Sequence, residues 1–227
     1  MIFTRYLYEK GHVEYSLVAS VRARAREEAK FWATELYFSG FQREAIELAG
    51  TLIELLDPKY SQISRFLHVQ IAELRANPER YWILGTITEN VVVRQSDKEF
   101  PKHIAIAMRE CDMKQYKTKP VVEGKSWTIA RRVCVYPLRL NPALEPVSLG
   151  AYDNWLYWAS FSPIWKARLD KHRGTVMHET REVVFDNEDD FESFHNWHDY
   201  EPDEQPLNVR NNWCREPTVS AFVDRCA

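Results

Sequence analysis

The sequence predicts a mainly α protein: an N-terminal stack of about four antiparallel helices, then helices joined by long, irregular, aromatic-rich connections, with at most a short strand. Three observations carry this expectation. Apolar residues recur at three- and four-residue steps through most of residues 14–93. Two Asx-Pro pairs, Asp57-Pro58 and Asn77-Pro78, divide that stretch into helix-length pieces, because the residue before a proline is disfavoured in the helical region. The chain has 11 Pro but only 7 Gly, too few glycines for a strand-and-turn-rich barrel or a repeated Gly-rich phosphate loop.

Residues 1–12 read as an extended or irregular lead-in, with Phe3, Tyr6 and Tyr8 available to pack on the body. From Tyr15, the residues Leu17, Val21, Ala25, Ala29, Trp32 and Leu36 keep helical spacing, which predicts one long helix of about 24 residues running to Gly40. Its second half, EEAKFWATELYFSGF (27–41), is apolar most of the way round and is expected to be buried between neighbours. Ser39-Gly40 supplies the left-handed residue on which a helix ends, with Phe41 as the accompanying hydrophobic contact. A second helix is expected from Gln42 to Leu56, with Ala45, Ile46, Ala49, Leu52, Ile53 and Leu56 on one stripe. Asp57 should cap a third, with Pro58 at its first position and Tyr60, Ile63, Leu67, Ile71 and Leu74 inside. Asn77-Pro78 repeats the device before a fourth helix with Tyr81, Leu84, Thr88 and Val91 or Val92 facing inward.

The polar run RQSDKE (94–99) marks a soft boundary. The expected organisation is a helical stack over 1–96, a basic, mixed helical and irregular segment over 97–181 packed on it, and an acidic segment over 182–227, or all three as one domain. Pro101 to Cys111 fits a helix or a strand, with Pro101 favouring helix; Trp127 to Val135 fits a helix, and Pro137, Pro142 and Pro146 punctuate an irregular connection. In DNWLYWASFSPIWKARLDKHRG (153–174), Asp153 is a candidate cap, Ser162-Pro163 restarts the helix, and Gly174 stops it. Glu182 to Phe185 is the best strand candidate. Asn187 is placed to cap an acidic helix, Glu188 to Trp197, anchored by Phe191, Phe194 and Trp197, with carboxylates at the positive end of its dipole. Pro217 to Cys226 is a candidate short terminal helix.

The net charge of -3 conceals an asymmetry. Basic and acidic residues number 18 and 16 over 1–120, 9 and 5 over 121–181, and 3 and 12 over 182–227. Cys111, Cys134, Cys214 and Cys226 form no CxxC pair, so free reduced thiols are expected rather than a zinc ribbon. No apolar run reaches the roughly 20 residues of a membrane span. Charges at Arg5, Glu9 and Lys10 fall too early for a secretory signal, and an intracellular protein is the expectation.

Three stretches, FWATELYFSGF (31–41), WLYWASFSPIWKARL (155–169) and YEPDEQP (200–206), together resemble an uncharacterised family of mainly helical proteins encoded by large nucleocytoplasmic DNA viruses. The resemblance spans most of the chain in the same order, and its motifs are aromatic-core and turn signatures. It implies a viral protein working in host cytoplasm, a viral factory or the virion, and it carries over no active site.

The acidic stretch 182–209 holds ten carboxylates and no Lys or Arg. Asp189, Asp190, Glu201, Asp203 and Glu204 are its candidates for contact with a partner protein, against the plain reading of a solvated surface. His195, His198 and Glu192 have spacing that suits a metal, with His178 or Cys214 as further ligands, but histidines at an exposed helix end are common and no metal or cofactor is expected. Lys114, Lys117, Lys119, Arg131, Arg132, Lys166, Arg168, Lys171 and Arg173 could neutralise phosphates beside Tyr116 or Trp127, although a pI near 6.2 is far from that of a nucleic-acid binder. Trp155, Trp158 and Trp165 are at core spacing. Glu35 should pair with a base or join a polar network. No nucleophile elbow, phosphate-binding Gly-x-x-x-x-Gly-Lys or His-Glu-x-x-His is present. The sequence therefore points to a non-enzymatic helical scaffold or adaptor whose partners are other proteins, viral on the resemblance. A nucleic-acid-binding accessory protein and a metal-dependent enzyme are the alternatives.

Overall fold

The structure is a computed structural model that describes residues 2–96, 136, 138, 139, 141 and 154–198. The described chain is mainly helical, with a single two-stranded sheet among the described residues. Its residues divide into two compact units, one of 11–96, 139 and 141, the other of 2–10, 136, 138 and 154–198. The expected helices at 101–111, 127–135 and 217–226, and all four cysteines, lie outside the described residues.

The first unit is the predicted helical stack, with one helix more than its sequence pattern announced. The long helix expected up to Gly40 is two: α1 (Lys10–Arg22) and α2 (Arg26–Phe38). The apolar spacing continues across the junction, but the backbone does not. Arg24 sits at φ 56, while the Ala25 amide donates to Ser20 O at 2.9 Å and the Arg24 amide to Val21 O at 3.0 Å. These two bonds form a Schellman ending with an arginine where glycine is usual. The Arg24 guanidinium donates to Val92 O at 3.4 Å and Gln95 O at 3.2 Å, which offsets the cost of a left-handed non-glycine residue.

Helix α2 ends as its sequence predicts. Gly40 has φ 91, the Phe41 amide donates to Leu36 O at 3.2 Å, and the Phe41 ring is buried. Trp32, Leu36, Ala29, Ala33 and Tyr37 are buried, so α2 is the interior helix of the unit. It packs against α3 (Gln42–Leu52) and α5 (Trp82–Arg94), and α4 (Ser61–Ala76) packs on α3 and α5. Glu35 is also buried in α2. The Glu28 carboxylate receives the Trp32 indole N–H at 3.2 Å and a bidentate guanidinium from Arg139 at 2.9 and 2.8 Å.

Asp57 caps as expected, accepting from the Lys59 amide at 3.0 Å with Pro58 at the first position, but the turn it opens is 3-10 (Pro58–Tyr60) before α4 begins. The second Asx-Pro pair behaves differently. Asn77 closes α4 by its backbone amide, which donates to Glu73 O at 2.9 Å, while its side chain donates to Glu73 Oε1 at 2.9 Å, and α5 starts only at Trp82 without a side-chain cap. Tyr81, expected to face inward, is exposed and packs edge-on against Phe38 at 5.0 Å; Ile83, Leu84, Ile87, Thr88, Val91 and Val92 form the buried face instead.

The second unit is built on the aromatic helices. Helix α6 (Trp155–Ala159) and helix α7 (Pro163–Lys171) join at Ser162, whose Oγ accepts from the Trp165 amide at 3.4 Å with Pro163 at the first position. Antiparallel strands β1 (Gly174–Met177) and β2 (Glu182–Phe185) follow, paired Gly174 to Phe185 and Met177 to Glu182, and helix α8 (Glu188–His198) closes the described chain. The hairpin thus spans position 181/182, where a change of segment was expected, and β1 is a strand that the sequence pattern left unmarked. The lead-in belongs to this unit: Trp165 donates its indole N–H to Thr4 O at 2.9 Å, and Arg168 donates to Arg5 O at 3.2 Å. Phe3, Leu7, Trp155, Ala159, Ile164, Trp165, Leu169 and Phe194 form one buried apolar cluster. Trp155 and Trp165, 5.6 Å apart edge to face, are therefore core side chains.

Candidate functional site

Helix α8 carries its chemistry on two opposite faces. Asn187 caps it, with Oδ1 accepting from the Asp190 amide at 2.9 Å, and Glu188, Asp189 and Asp190 occupy the first turn, where the helix dipole favours carboxylates. Phe194 then anchors the helix; its ring is buried against Trp165 and Phe185 at 6.4 and 5.2 Å. With Phe194 inward, His195 and His198 are carried inward too, and Asp189, Glu192, Ser193, Asn196 and Trp197 fall on the solvent side.

The solvent side is a shallow open hollow of about 480 Å³, lined by those five residues. Two carboxylates lie towards its N-terminal end, two neutral hydrogen-bonding side chains in its middle, and the Trp197 indole at its far end. Trp197 is 61% exposed, the largest apolar side chain offered to solvent among the described residues of this unit. Lys171 on α7 places Nζ 3.9 Å from the indole ring centroid, a cation–π contact on one face of a ring that stays mostly exposed. Such a surface can receive a cationic side chain on the carboxylates and an apolar or cationic one on the ring.

The chain matches no family model, no curated protein and no solved structure.

Of the predicted partner-contact residues, Asp189 lies on this face, and Asp190 does not. Asp190 is buried, and its Oδ1 accepts from Arg173 Nε at 3.2 Å and Nη2 at 2.7 Å, an ion pair that ties α8 to the turn after α7. Glu201, Asp203 and Glu204 lie outside the described residues. The metal candidates are separated: Glu192 points to solvent, while His195 and His198 are buried rather than at an exposed helix end. Among the described residues no group of three His, Cys, Asp or Glu side chains is placed to hold a metal ion.

The four basic candidates among the described residues do not line up into one face. Arg168 is an interior residue, stacked over Trp165 at 4.2 Å, and Arg173 is engaged with Asp190. Lys166 pairs with Asp170 at 3.2 Å, and Lys171 covers Trp197. Lys114, Lys117, Lys119, Arg131 and Arg132 lie outside the described residues. Among the described residues no helix is long and apolar enough to cross a membrane.

Sequence reasoning missed Ser193, Asn196 and Trp197. Their signal was available, since 189, 192, 193, 196 and 197 recur at the spacing of one helical stripe. A tryptophan following Phe191 and Phe194 at three-residue steps continues an apolar row, which predicts a packed anchor. Three-residue steps drift by about 60° each on a 3.6-residue helix, and the second step carries Trp197 out of the buried sector that Phe194 occupies.

The helical stack offers a smaller exposed apolar row of its own. Phe66 and Val69, one turn apart on α4, are 50% and 64% exposed.

Proposed function

We propose that the protein is a helical scaffold or adaptor, and that the solvent face of α8 is one of its docking surfaces for a basic segment of another protein. The observation that carries this reading is the placement of an exposed Trp197 on the same helical stripe as the Asp189 and Glu192 carboxylates. Exposed tryptophans beside charge of one sign are characteristic of binding hot spots, because the indole buries a large area at little entropic cost. The exposed Phe66–Val69 row supports a second contact on the helical stack. The resemblance to proteins of large nucleocytoplasmic DNA viruses supports viral partners and a place in host cytoplasm, a viral factory or the virion.

Affinity capture from infected cells, comparing the natural chain with Trp197→Ala and Glu192→Lys, tests the reading. The expected result is a specific protein recovered with the natural chain and lost with both variants. Recovery of the same set by all three chains would overturn the docking assignment. Retention on mixed-sequence DNA or RNA with a steep salt dependence would favour nucleic-acid binding instead.

A further inference from the structure

The buried side of α8 rests on an unusual bed. His172, His195 and His198 are all buried, and they surround the Phe194 ring at centroid distances of 5.7, 5.3 and 4.8 Å. His172 and His198 lie 6.0 Å apart, and Trp165 closes the bed 5.8 Å from His198. His195 is set against Phe191 at 4.6 Å and Phe185 at 6.5 Å. We propose that two of these imidazoles, His172 and His195, make α8 an acid-released latch, docked while they are neutral and expelled from its bed when they take up protons.

Among the described residues, the surroundings of these imidazoles are mostly aromatic rings and cations. Helix α7 contributes Arg168, over Trp165, and Lys171 next to His172; the following turn contributes Arg173. Helix α8 contributes one facing carboxylate, Asp190, whose Oδ1 serves Arg173 while its buried Oδ2 accepts no hydrogen bond among the described residues, and β2 contributes the Phe185 ring. New imidazolium charge would therefore sit amid aromatic rings, with Lys171 opposing it at His172 and Asp190 as the nearby carboxylate. Hydrogen bonding points the same way. An imidazolium donates through both nitrogens, and the buried His172 Nε2 and His195 Nδ1 have no acceptor among the described residues. Burial lowers the pKa of His172, with Lys171 adding to the effect and Asp190 opposing it, and burial lowers that of His195.

The sign follows from linkage. Both folded pKa values are lowered, so above the ordinary imidazole range the docked and released helices bind equal protons and α8 stays down. As pH falls through about 6.5 the released form takes up protons that the docked form refuses, and docking weakens. Since α8 also carries the outer stripe, release would dismantle that face. This consequence rests on the docking reading; the latch does not.

Amide hydrogen exchange on the full chain, corrected for intrinsic rates, reads the latch directly. Between about pH 7.5 and about pH 5.5, protection over residues 188–198 should fall by up to about tenfold for each imidazole that stays neutral when docked. Protection over α4, whose one histidine, His68, is exposed, should fall less. The variant His172→Leu/His195→Leu should hold its protection at the lower pH. Should that variant fail to fold, NMR titration of the ring carbons in the natural chain decides: the proposal expects the imidazoles to titrate together with the loss of protection. Undiminished protection over 188–198 at the lower pH, or imidazoles that titrate while α8 stays docked, would overturn it. None of these readouts needs a partner, so failure of the docking reading leaves the test intact.

Discussion

Arg24 and Gln95 hold each other's helix ends. The Arg24 guanidinium donates to Gln95 O at 3.2 Å, and the Gln95 side-chain amide donates back to Val21 O at 2.6 Å and to Val92 O at 3.2 Å. The C-terminus of α1 and that of α5 are thereby satisfied by one reciprocal pair, where each alone would leave carbonyls without intrahelical partners. Gln95→Leu keeps the volume and removes both donors, so it should cost about 1–3 kcal/mol. Urea unfolding would read this as a lower midpoint at unchanged slope. A midpoint within error of the natural chain would show that the α1–α2 junction is held by its backbone bonds alone.

That junction also marks the limit of what the sequence made legible. Apolar spacing located α2 through α5, because a 3.6-residue repeat reports burial of one face. It joined α1 to α2 because Val21, Ala25 and Ala29 stay in phase across the turn at Arg24. Nothing in the residue type of Arg24 announces a left-handed conformation; the carbonyls that reward it belong to Val92 and Gln95, about 70 residues away. The same contrast separates the two Asx-Pro pairs. Asp57 acts through its neighbour Lys59, a local effect that spacing predicts, whereas the inward face of α5 is set by packing on α2 and α3 and starts after Tyr81. On α8 the stripe was present in the sequence, but its orientation depended on Phe194 meeting Trp165 and Phe185.

Trp32 tests the interior of the helical stack. Its ring has no exposed surface, packs edge-on to Phe31 at 4.8 Å, and its indole donates to Glu28. Trp32→Ala should cost about 3–5 kcal/mol, through lost transfer energy and the cavity left behind. Thermal melting with a negligible shift would place the side chain outside the core.

Glu28 is the hub that Trp32 and Arg139 share. The carboxylate is buried and accepts a bidentate guanidinium, and Arg139 is further fixed by its amide donating to Ser16 Oγ at 2.8 Å. Removing one partner of a buried pair strands the other, at about 3–5 kcal/mol. Glu28→Ala should therefore lower stability by that order, and Glu28→Gln by less, since the amide oxygen can still accept from Trp32. A double-mutant cycle with Arg139→Ala measures the coupling, which should exceed the range of an exposed pair.

Gly174 opens β1 where the hairpin meets α7. A Cβ there would lie 3.2 Å from Cδ2 of the buried Leu169 and 3.2 Å from Cε1 of the half-buried Phe185, closer than ordinary van der Waals contact. Gly174→Ala should destabilise the second unit by about 1–3 kcal/mol, the usual cost of overpacking. The opposing effect, reduced freedom of the unfolded chain, is worth about 0.4–1 kcal/mol and does not change the sign. Faster exchange over 174–185 is the expected readout, and unchanged exchange would mean that Leu169 and Phe185 move aside freely.

His12 gives the helical stack its own response to acid. Its Nδ1 accepts from the Asn141 amide at 3.0 Å, and burial lowers its pKa to about 4. An acceptor nitrogen must be unprotonated, so the hydrogen bond and the burial favour the same neutral form. With a folded pKa below the unfolded one, the stack loses no stability to this group above about pH 6.5. It loses stability progressively as pH falls from there to about 4, by up to about 3 kcal/mol in all, and the loss levels off below that. His12→Gln should flatten the profile in this window while lowering stability at neutral pH if its amide fails to replace the Asn141 acceptor. Stability of the stack measured by denaturant at a series of pH values checks the slope: a flat profile between about pH 6.5 and 4 in the natural chain would mean that His12 protonates in place, with the Asn141 amide released to another acceptor.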